Sequence, residues 1–442
     1  MSIVTDRVAA YFRLKENNTS IRNEFFGGLT TFMAMAYVIF VVPGMLSEAG
    51  MPKEAVITAL ICITAAVTLA MGLWANFPVG VAPGLGISAF FAYYVCGTLK
   101  LPWQTALGAV FISGMVFLLL TVTRLRQMII DAVPMDLKYA IVAGIGTFIS
   151  FIGLKSCGIV VAHPQNFVAL GDITSPASLL ALGGVCLISA MMAKGVRVAI
   201  PAGILIMTVM GMVFGQVPVP VSISDIMTFS VPSPMPIFGQ LDILGAVRYG
   251  LFSIIFTITV VDLFDNIGTL IGLARKADLM DADGHIRGLD KALITDSLGA
   301  MGSAVIGTPT VTAYIESASG IAAGGRTGLT AVFTAFFFLL TLFFAPLIAM
   351  VPGFATAPAL IIVGALMMQE VVHINFSDFR VALPAFLTVV MMPFTFSIAA
   401  GFGFGFISYV LLQALTGRVR EISVAMWAIS VCFAINFALR LH

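Results

Sequence analysis

Apolar runs succeed one another along almost the whole chain, separated by short polar connections. They fall near 25–48, 54–74, 83–98, 104–123, 136–156, 176–194, 198–216, 247–273, 289–306, 309–324, 328–351, 356–371, 380–397 and 398–416. Many hold windows of the ~20 apolar residues that span a ~30 Å hydrocarbon layer as a helix. The pattern predicts an all-α polytopic membrane protein of about 14 transmembrane segments. A further run near 422–440 reads equally as another span or as an interfacial helix. With the N-terminus in the cytoplasm and sides alternating, seventeen basic residues fall inside, against four outside: Lys53, Lys100, Lys155 and Arg248. That is the asymmetry the positive-inside rule requires. The connection 216–245 is rich in Pro and Ser, holds no Lys or Arg, and divides the chain into halves.

Two of the runs are interrupted in corresponding places. Residues 76–94 read NFPVGVAPGLGISAFFAYY and residues 305–325 read VIGTPTVTAYIESASGIAAGG. Each opens with Pro and Gly, which do not sustain a helix, and then turns helix-compatible. Pro83 and Pro309 are 226 residues apart, about half the chain, so the second copy enters from the opposite face. Paired, interrupted segments of this kind point to a transporter's binding site. An extended stretch leading into a half-helix leaves backbone N–H groups that must meet a cavity or a ligand.

Composition sharpens the picture. The chain of 442 residues is 60% hydrophobic and 10% charged, with mean hydropathy +1.08 and net charge +1, which argues against a nucleic-acid partner. Within this apolar sequence three acids stand out. Asp262 and Asp265 lie in the run 251–273 and Glu316 in the run 305–321, each without a basic residue in its span. An acid at bilayer depth costs at least about 2.5–3.5 kcal/mol and normally faces a water-filled cavity or a ligand. Asp262 and Asp265 share one helix face, which Asn266 and Thr269 extend. Asp296 reads as a helix cap, and Asp378 as the start of a helix near the cytoplasmic surface. In the aromatic run Phe90, Phe91, Tyr93 and Tyr94, a ring at the tip of the half-helix would suit a flat substrate. The five cysteines form no CxxC and the four histidines have no metal-ligand spacing. The DADG of loop 276–287 lacks the further ligands and closing Glu of a calcium loop. HExxH is absent, so a membrane-embedded enzyme finds no support.

The segments VAPGLGISAFFAY, VDLFDNIGTLIG and GTPTVTAYIESASGIAAGGRTGLTAV resemble the signatures of AzgA-like purine nucleobase permeases, within the nucleobase–cation symporter (nucleobase–ascorbate transporter) superfamily. The resemblance extends over essentially the whole chain. It implies a 7+7 inverted repeat with core and gate domains, the third and tenth segments being the broken ones. The corresponding division is a cytoplasmic N-terminal segment 1–24, core 25–126 and 247–352, gate 127–216 and 353–442, and a linker 217–246. It places substrate between the two breaks and the eighth span, with Asp262 and Glu316 as its acids and Asp265 beside them. Backbone near Ala89, Phe90 and Ile315 would contact the base, with Ser88 and Thr312 alongside. Asn266 and Asp378 are secondary candidates. Where the family carries Asn in GLNAFF this chain has Ser88, shorter but still donor and acceptor.

The resulting expectation is a secondary transporter that imports hypoxanthine, guanine or adenine by proton symport. Asp262, Asp265 and Glu316 would couple the proton, with no cofactor and no metal, and a homodimer would sit in an inner (plasma) membrane. Uracil, xanthine or a small anion on the same fold, and, from another class, a channel or a membrane-embedded enzyme, are the alternatives.

Overall fold

A computed structural model describes residues 3–123, 125–248, 252–280 and 286–440. The first half runs α1 (Ile3–Tyr11), α2 (Ile21–Met35), α3 (Val38–Glu48), α4 (Lys53–Leu73), β1 (Val81–Pro83), α5 (Leu85–Ala89), α6 (Trp103–Val122), α7 (Leu125–Ala132), α8 (Met135–Ser156), β2 (Val160–His163), β3 (Phe167–Leu170), α9 (Pro176–Ala193) and α10 (Ala199–Val213). The second half runs α11 (Ile243–Arg248), α12 (Phe252–Lys276), α13 (Leu289–Ile306), β4 (Val311–Ala313), α14 (Ser317–Ala322), α15 (Gly328–Leu340), α16 (Ala345–Met350), α17 (Gly353–Met367), α18 (Phe379–Phe394), α19 (Ile398–Leu415) and α20 (Val424–Arg440). Among the described residues nine helices are long and apolar enough to cross a membrane, one being α2 and α3 taken together, and four more are apolar but shorter.

Local sequence explains many of the boundaries. Ser20, Ser175, Thr327 and Ser397 cap α2, α9, α15 and α19 with their side chains, satisfying amides that a helix start leaves open. The interrupted run 83–98 splits into the short strand β1, then α5, whose winding widens over Phe90–Thr98. The run 309–324 becomes β4 and α14. The run 328–351 divides into α15 and α16 through a tight turn at Thr341–Phe344. The exposed hairpin β2–β3 was not anticipated; its pattern is too short to separate from a polar connection. The DADG motif, residues 281–284, lies outside the described residues.

Helices approach where side chains are small, as lipid-embedded packing favours. A Cβ added to Gly72 of α4 would meet the Gly328 carbonyl of α15 at 2.5 Å, and one on Gly328 would strike the Gly72 carbonyl. Gly146 of α8 faces the Gly364 carbonyl of α17 in the same way at 2.7 Å. The contacts come in matched sets: α4 packs on α15 as α6 packs on α13, α8 lies along α17, and α9–α10 pair as α18–α19 do.

Glu24 is a polar fixture the apolar pattern concealed. Fully buried in α2, it accepts from the Arg326, Thr327 and Thr330 amides at 3.0, 3.3 and 3.0 Å and from the Thr330 hydroxyl at 2.6 Å. It thus caps α15 from 302 residues earlier in the chain.

Candidate functional site

The two breaks meet. β1 and β4 pair antiparallel, with Val81 opposite Ala313, Ala82 opposite Thr312 and Pro83 opposite Val311. Around this ladder the freed backbone groups are taken up. The Val81 amide donates to Thr68 Oγ1 at 2.9 Å, and that hydroxyl donates to the Val81 carbonyl at 3.0 Å. The Gly80 amide donates to Ser317 Oγ at 3.0 Å, and the Tyr314 hydroxyl to the Pro83 carbonyl at 2.6 Å. The extended stretches therefore satisfy one another rather than leaving bare amides, which corrects the sequence expectation. At the start of α14 the Ser317, Ala318 and Ser319 amides donate to the Tyr314, Ile315 and Glu316 carbonyls, while the start of α5 has no side-chain cap.

Helix α12 grips the second break at two levels. Asp262, 1% exposed, accepts from Thr310 Oγ1 at 3.1 Å. One turn on, the buried Asn266 accepts from the Ala313 amide at 3.3 Å through Oδ1. The i, i+4 spacing places both side chains on one face. The side chain of Asp265 lies outside the described residues.

Glu316 stands at the N-cap of α14, half-buried, and its Oε1 accepts from the Tyr37 hydroxyl. Tyr37 sits at the α2–α3 junction and is 1% exposed. Sequence reasoning missed it because it lies in an unbroken apolar run; only its polar tip distinguishes it. Ile315 is 55% exposed although its neighbours Tyr314 and Ser317 are buried, so the tip of the second break opens on accessible space.

On the first break, Ser88 is fully buried and its hydroxyl has no hydrogen-bond partner among the described residues. Ala89 is buried beside it. Phe90 is buried too, its ring stacked on Tyr94 at 5.1 Å, so it braces the half-helix rather than projecting from its tip. Thr312, 2% exposed, lies against Gly84 across the ladder.

Of two other acids, one departs from expectation and one meets it. Asp296 is not a cap: it lies inside α13, fully buried, 3.7 Å from the guanidinium of Arg126. Arg126, expected in a cytoplasmic connection, is 1% exposed and covers the Phe117 ring at 4.0 Å. Arg126 also lies within electrostatic reach of Asp262, so that acid has a cation near it, delivered by α7 from outside its own span. Asp378 does begin a helix: it caps α18 and is held by Arg380 at 2.6 Å. Those contacts hold its carboxyl well below the usual range, at about 2.

A separate cavity of about 900 Å³ opens where α4 and α12 end and α13 begins, lined by Arg13, Arg275, Arg287, Lys291 and Arg326 among others. Neither Asp262 nor Glu316 lines it. Among the described residues no group of His, Cys, Asp and Glu is arranged to hold a metal.

The model of the Xan_ur_permease family, described as the permease family, matches residues 22–436. The chain belongs to this family. The permease is 42% identical to the adenine permease AdeP of Escherichia coli over 96% of its own length and 94% of that protein's. It is also 42% identical to the guanine/hypoxanthine permease PbuG of Bacillus subtilis, covering 97% and 98% of the two chains. The nucleobase transporter PlAzg2 of Paenibacillus larvae is 34% identical over 88% of the permease and 77% of that protein. Among solved structures it is similar to the transmembrane domain of the cyanobacterial bicarbonate transporter BicA, with TM-score 0.60 at 16% identity over 89% and 96% of the chains. The overall structure of SLC26A9 matches with TM-score 0.62 at 10% identity, over 93% of the permease and 69% of that chain. These likenesses establish a transporter fold of helices in a membrane; the permease is a transporter, not an enzyme.

Proposed function

We propose that the permease imports purine nucleobases, adenine, guanine or hypoxanthine, across the inner membrane together with protons. The observation that carries this reading is the meeting of the two breaks, with Asp262 engaging one end of β4 and Glu316 following the other. A purine presents ring nitrogens as acceptors and N–H groups as donors on one flat edge. Carboxylates that accept when ionised and donate when protonated suit that edge, as do the Ser88 hydroxyl and the uncapped start of α5. The printed names of AdeP, PbuG and PlAzg2 favour a nucleobase cargo.

Fourteen segments in two inverted halves are the architecture we assign. The matched packing of α4–α15 with α6–α13, and of α9–α10 with α18–α19, supports it. Transport would follow from movement of a core built on α2–α6 and α12–α15 against a gate built on α8–α10 and α17–α19. Proton binding at Asp262, Asp265 or Glu316 would favour the loaded state, since a site that gains a donor with its proton binds a base acceptor only then.

Uptake of labelled adenine, guanine and hypoxanthine into cells lacking their own permeases, with and without a protonophore, tests the reading. Saturable uptake abolished by the protonophore is expected. Uptake of none of the three bases, or uptake indifferent to the protonophore, would overturn the cargo or the coupling respectively.

A further inference from the structure

Five cations converge on the recess between the ends of α4 and α12 and the start of α13, and the contacts proposed for the base use none of them. They come from separate parts of the chain. Arg13 lies in the α1–α2 connection, Arg275 in the last turn of α12, Arg287 and Lys291 at the start of α13, and Arg326 just before α15. The preference of basic residues for one face of a membrane accounts for the side they lie on. It does not account for their meeting in one concavity of about 900 Å³. Among the described residues Asp290 is the one acid that lines it.

The walls of the recess are tied together. The Tyr11 hydroxyl donates to the Leu73 carbonyl at 2.6 Å, joining α1 to the end of α4. Asn76 donates through Nδ2 to the Phe12 carbonyl at 3.4 Å and accepts through Oδ1 from the Gly328 amide at 2.8 Å. The residue beside Arg13 and the start of α15 are thereby held to one side chain. Gly288 sits so close to Ala75 that an added Cβ would meet its carbonyl at 2.4 Å, which seats the start of α13 against the end of α4. Backbone contacts thus bring the cations together before any ligand arrives.

Their charges are available. Arg275, Arg287 and Lys291 are exposed and make no ion pair among the described residues. Arg13 and Arg326 reach Glu16 and Asp278 only at 3.9 Å, in pairs open to solvent that contribute little. A recess lined by one sign of charge concentrates ions of the other sign. Guanidinium groups match oxyanions that offer several acceptors in a fixed geometry. A phosphate monoester carries about −1.5 to −2 charges at pH 7 and three acceptor oxygens, and so suits several cations better than a carboxylate does. Tyr11 and Trp74, both exposed, line the same recess and give an attached ring a surface to lie on.

We propose that this recess binds a phosphate monoester, supplied free as a nucleoside monophosphate or on a lipid head group. The inference is independent of the cargo, since none of the residues it uses contacts the proposed transport site.

The test uses the full-length protein in detergent, with binding of adenosine monophosphate, adenosine and inorganic phosphate read by calorimetry and by the thermal midpoint. The same midpoint is read in nanodiscs of phosphatidylcholine with and without phosphatidic acid. Adenosine monophosphate is expected to bind and stabilise where adenosine does not. Arg287→Gln/Lys291→Gln is expected to weaken that binding about ten-fold or more, with the ligand-free midpoint and base uptake unchanged. Arg13→Gln, on another wall, is expected to act in the same direction and repeats the test should the double variant fold poorly. Stabilisation by phosphatidic acid alone, lost in the same variants, would uphold the site and assign it to a lipid head group. Equal binding of adenosine and its monophosphate would overturn the proposal, because the base rather than the phosphate would then be recognised. Phosphate-dependent binding that none of the variants weakens would also overturn it, as would no response to any of the probes.

Discussion

Tyr37 donates its hydroxyl proton to Glu316, joining the α2–α3 junction to the second break across 279 residues of chain. The bond fixes the carboxylate beside Ile315, where the tip of the second break opens to accessible space. Tyr37→Phe removes one donor to a charged group without changing shape. Such a bond contributes about 1.5–3 kcal/mol, so KM for the base is expected to rise about ten-fold or more with protein level unchanged. Unaltered kinetics would show that Tyr37 only packs.

Asp262→Asn keeps an acceptor for Thr310 Oγ1 but cannot exchange a proton, and Glu316→Ala removes the carboxylate beside Tyr37. Both are expected to abolish uptake while the protein still inserts at normal level. Quantified membrane fractions and uptake assays on the same cells check this. Substantial uptake by both variants would refute the site.

Glu24→Ala leaves the Arg326 and Thr327 amides and the buried Thr330 hydroxyl without their acceptor at the start of α15, while the Thr330 amide keeps the Thr327 carbonyl. Lost caps and unsatisfied buried groups typically cost about 1–3 kcal/mol each, unevenly additive. A fall of several degrees in the thermal midpoint in detergent is expected, together with reduced membrane level. The change is expected to act on stability, leaving the KM of the protein that does fold close to normal.

Gly328→Ala places a methyl group against the Gly72 carbonyl, a backbone atom with nowhere to move. The α4–α15 contact must then separate, and loss of folded protein is expected. Gly353→Ala, where an added Cβ meets nothing within 4 Å, is the control and should be silent.

Asp378 is held ionised by Arg380, its carboxyl lowered to about 2. A group depressed in the folded state lends stability above its ordinary value near 3.9 and loses it as pH falls through the folded value. At every pH used for uptake it stays charged, so it cannot sense the proton gradient there. Asp378→Asn is expected to leave the pH profile of uptake unshifted. A displaced profile would give Asp378 a coupling role after all.

Reading the chain in isolation went far because lipid removes options. Backbone groups in hydrocarbon must bond within their own segment, so helix boundaries follow run length, and α4, α6, α8 and α9 fall within a residue or so of their apolar runs. The same constraint makes an interruption conspicuous, which is why both breaks and the acids Asp262 and Glu316 were legible. Tyr37 and Glu24 were not, because an aromatic ring and a terminal acid are ordinary in such places until a partner is seen. Asp296 was misread as a cap because proximity to a polar loop is all that its sequence position conveys.

Run lengths, breaks and charge placement along the chain are one-dimensional properties, and the solvent preference of each segment is enough to determine them. Tertiary structure alone decided that β1 and β4 pair with each other, that Glu316 belongs to Tyr37, and that Arg126 comes in from α7 to meet Asp296. Those unions depend on how helices distant in sequence cross, and crossing is set by complementary surfaces such as Gly72 against Gly328. No local pattern encodes a surface that two remote segments must make together.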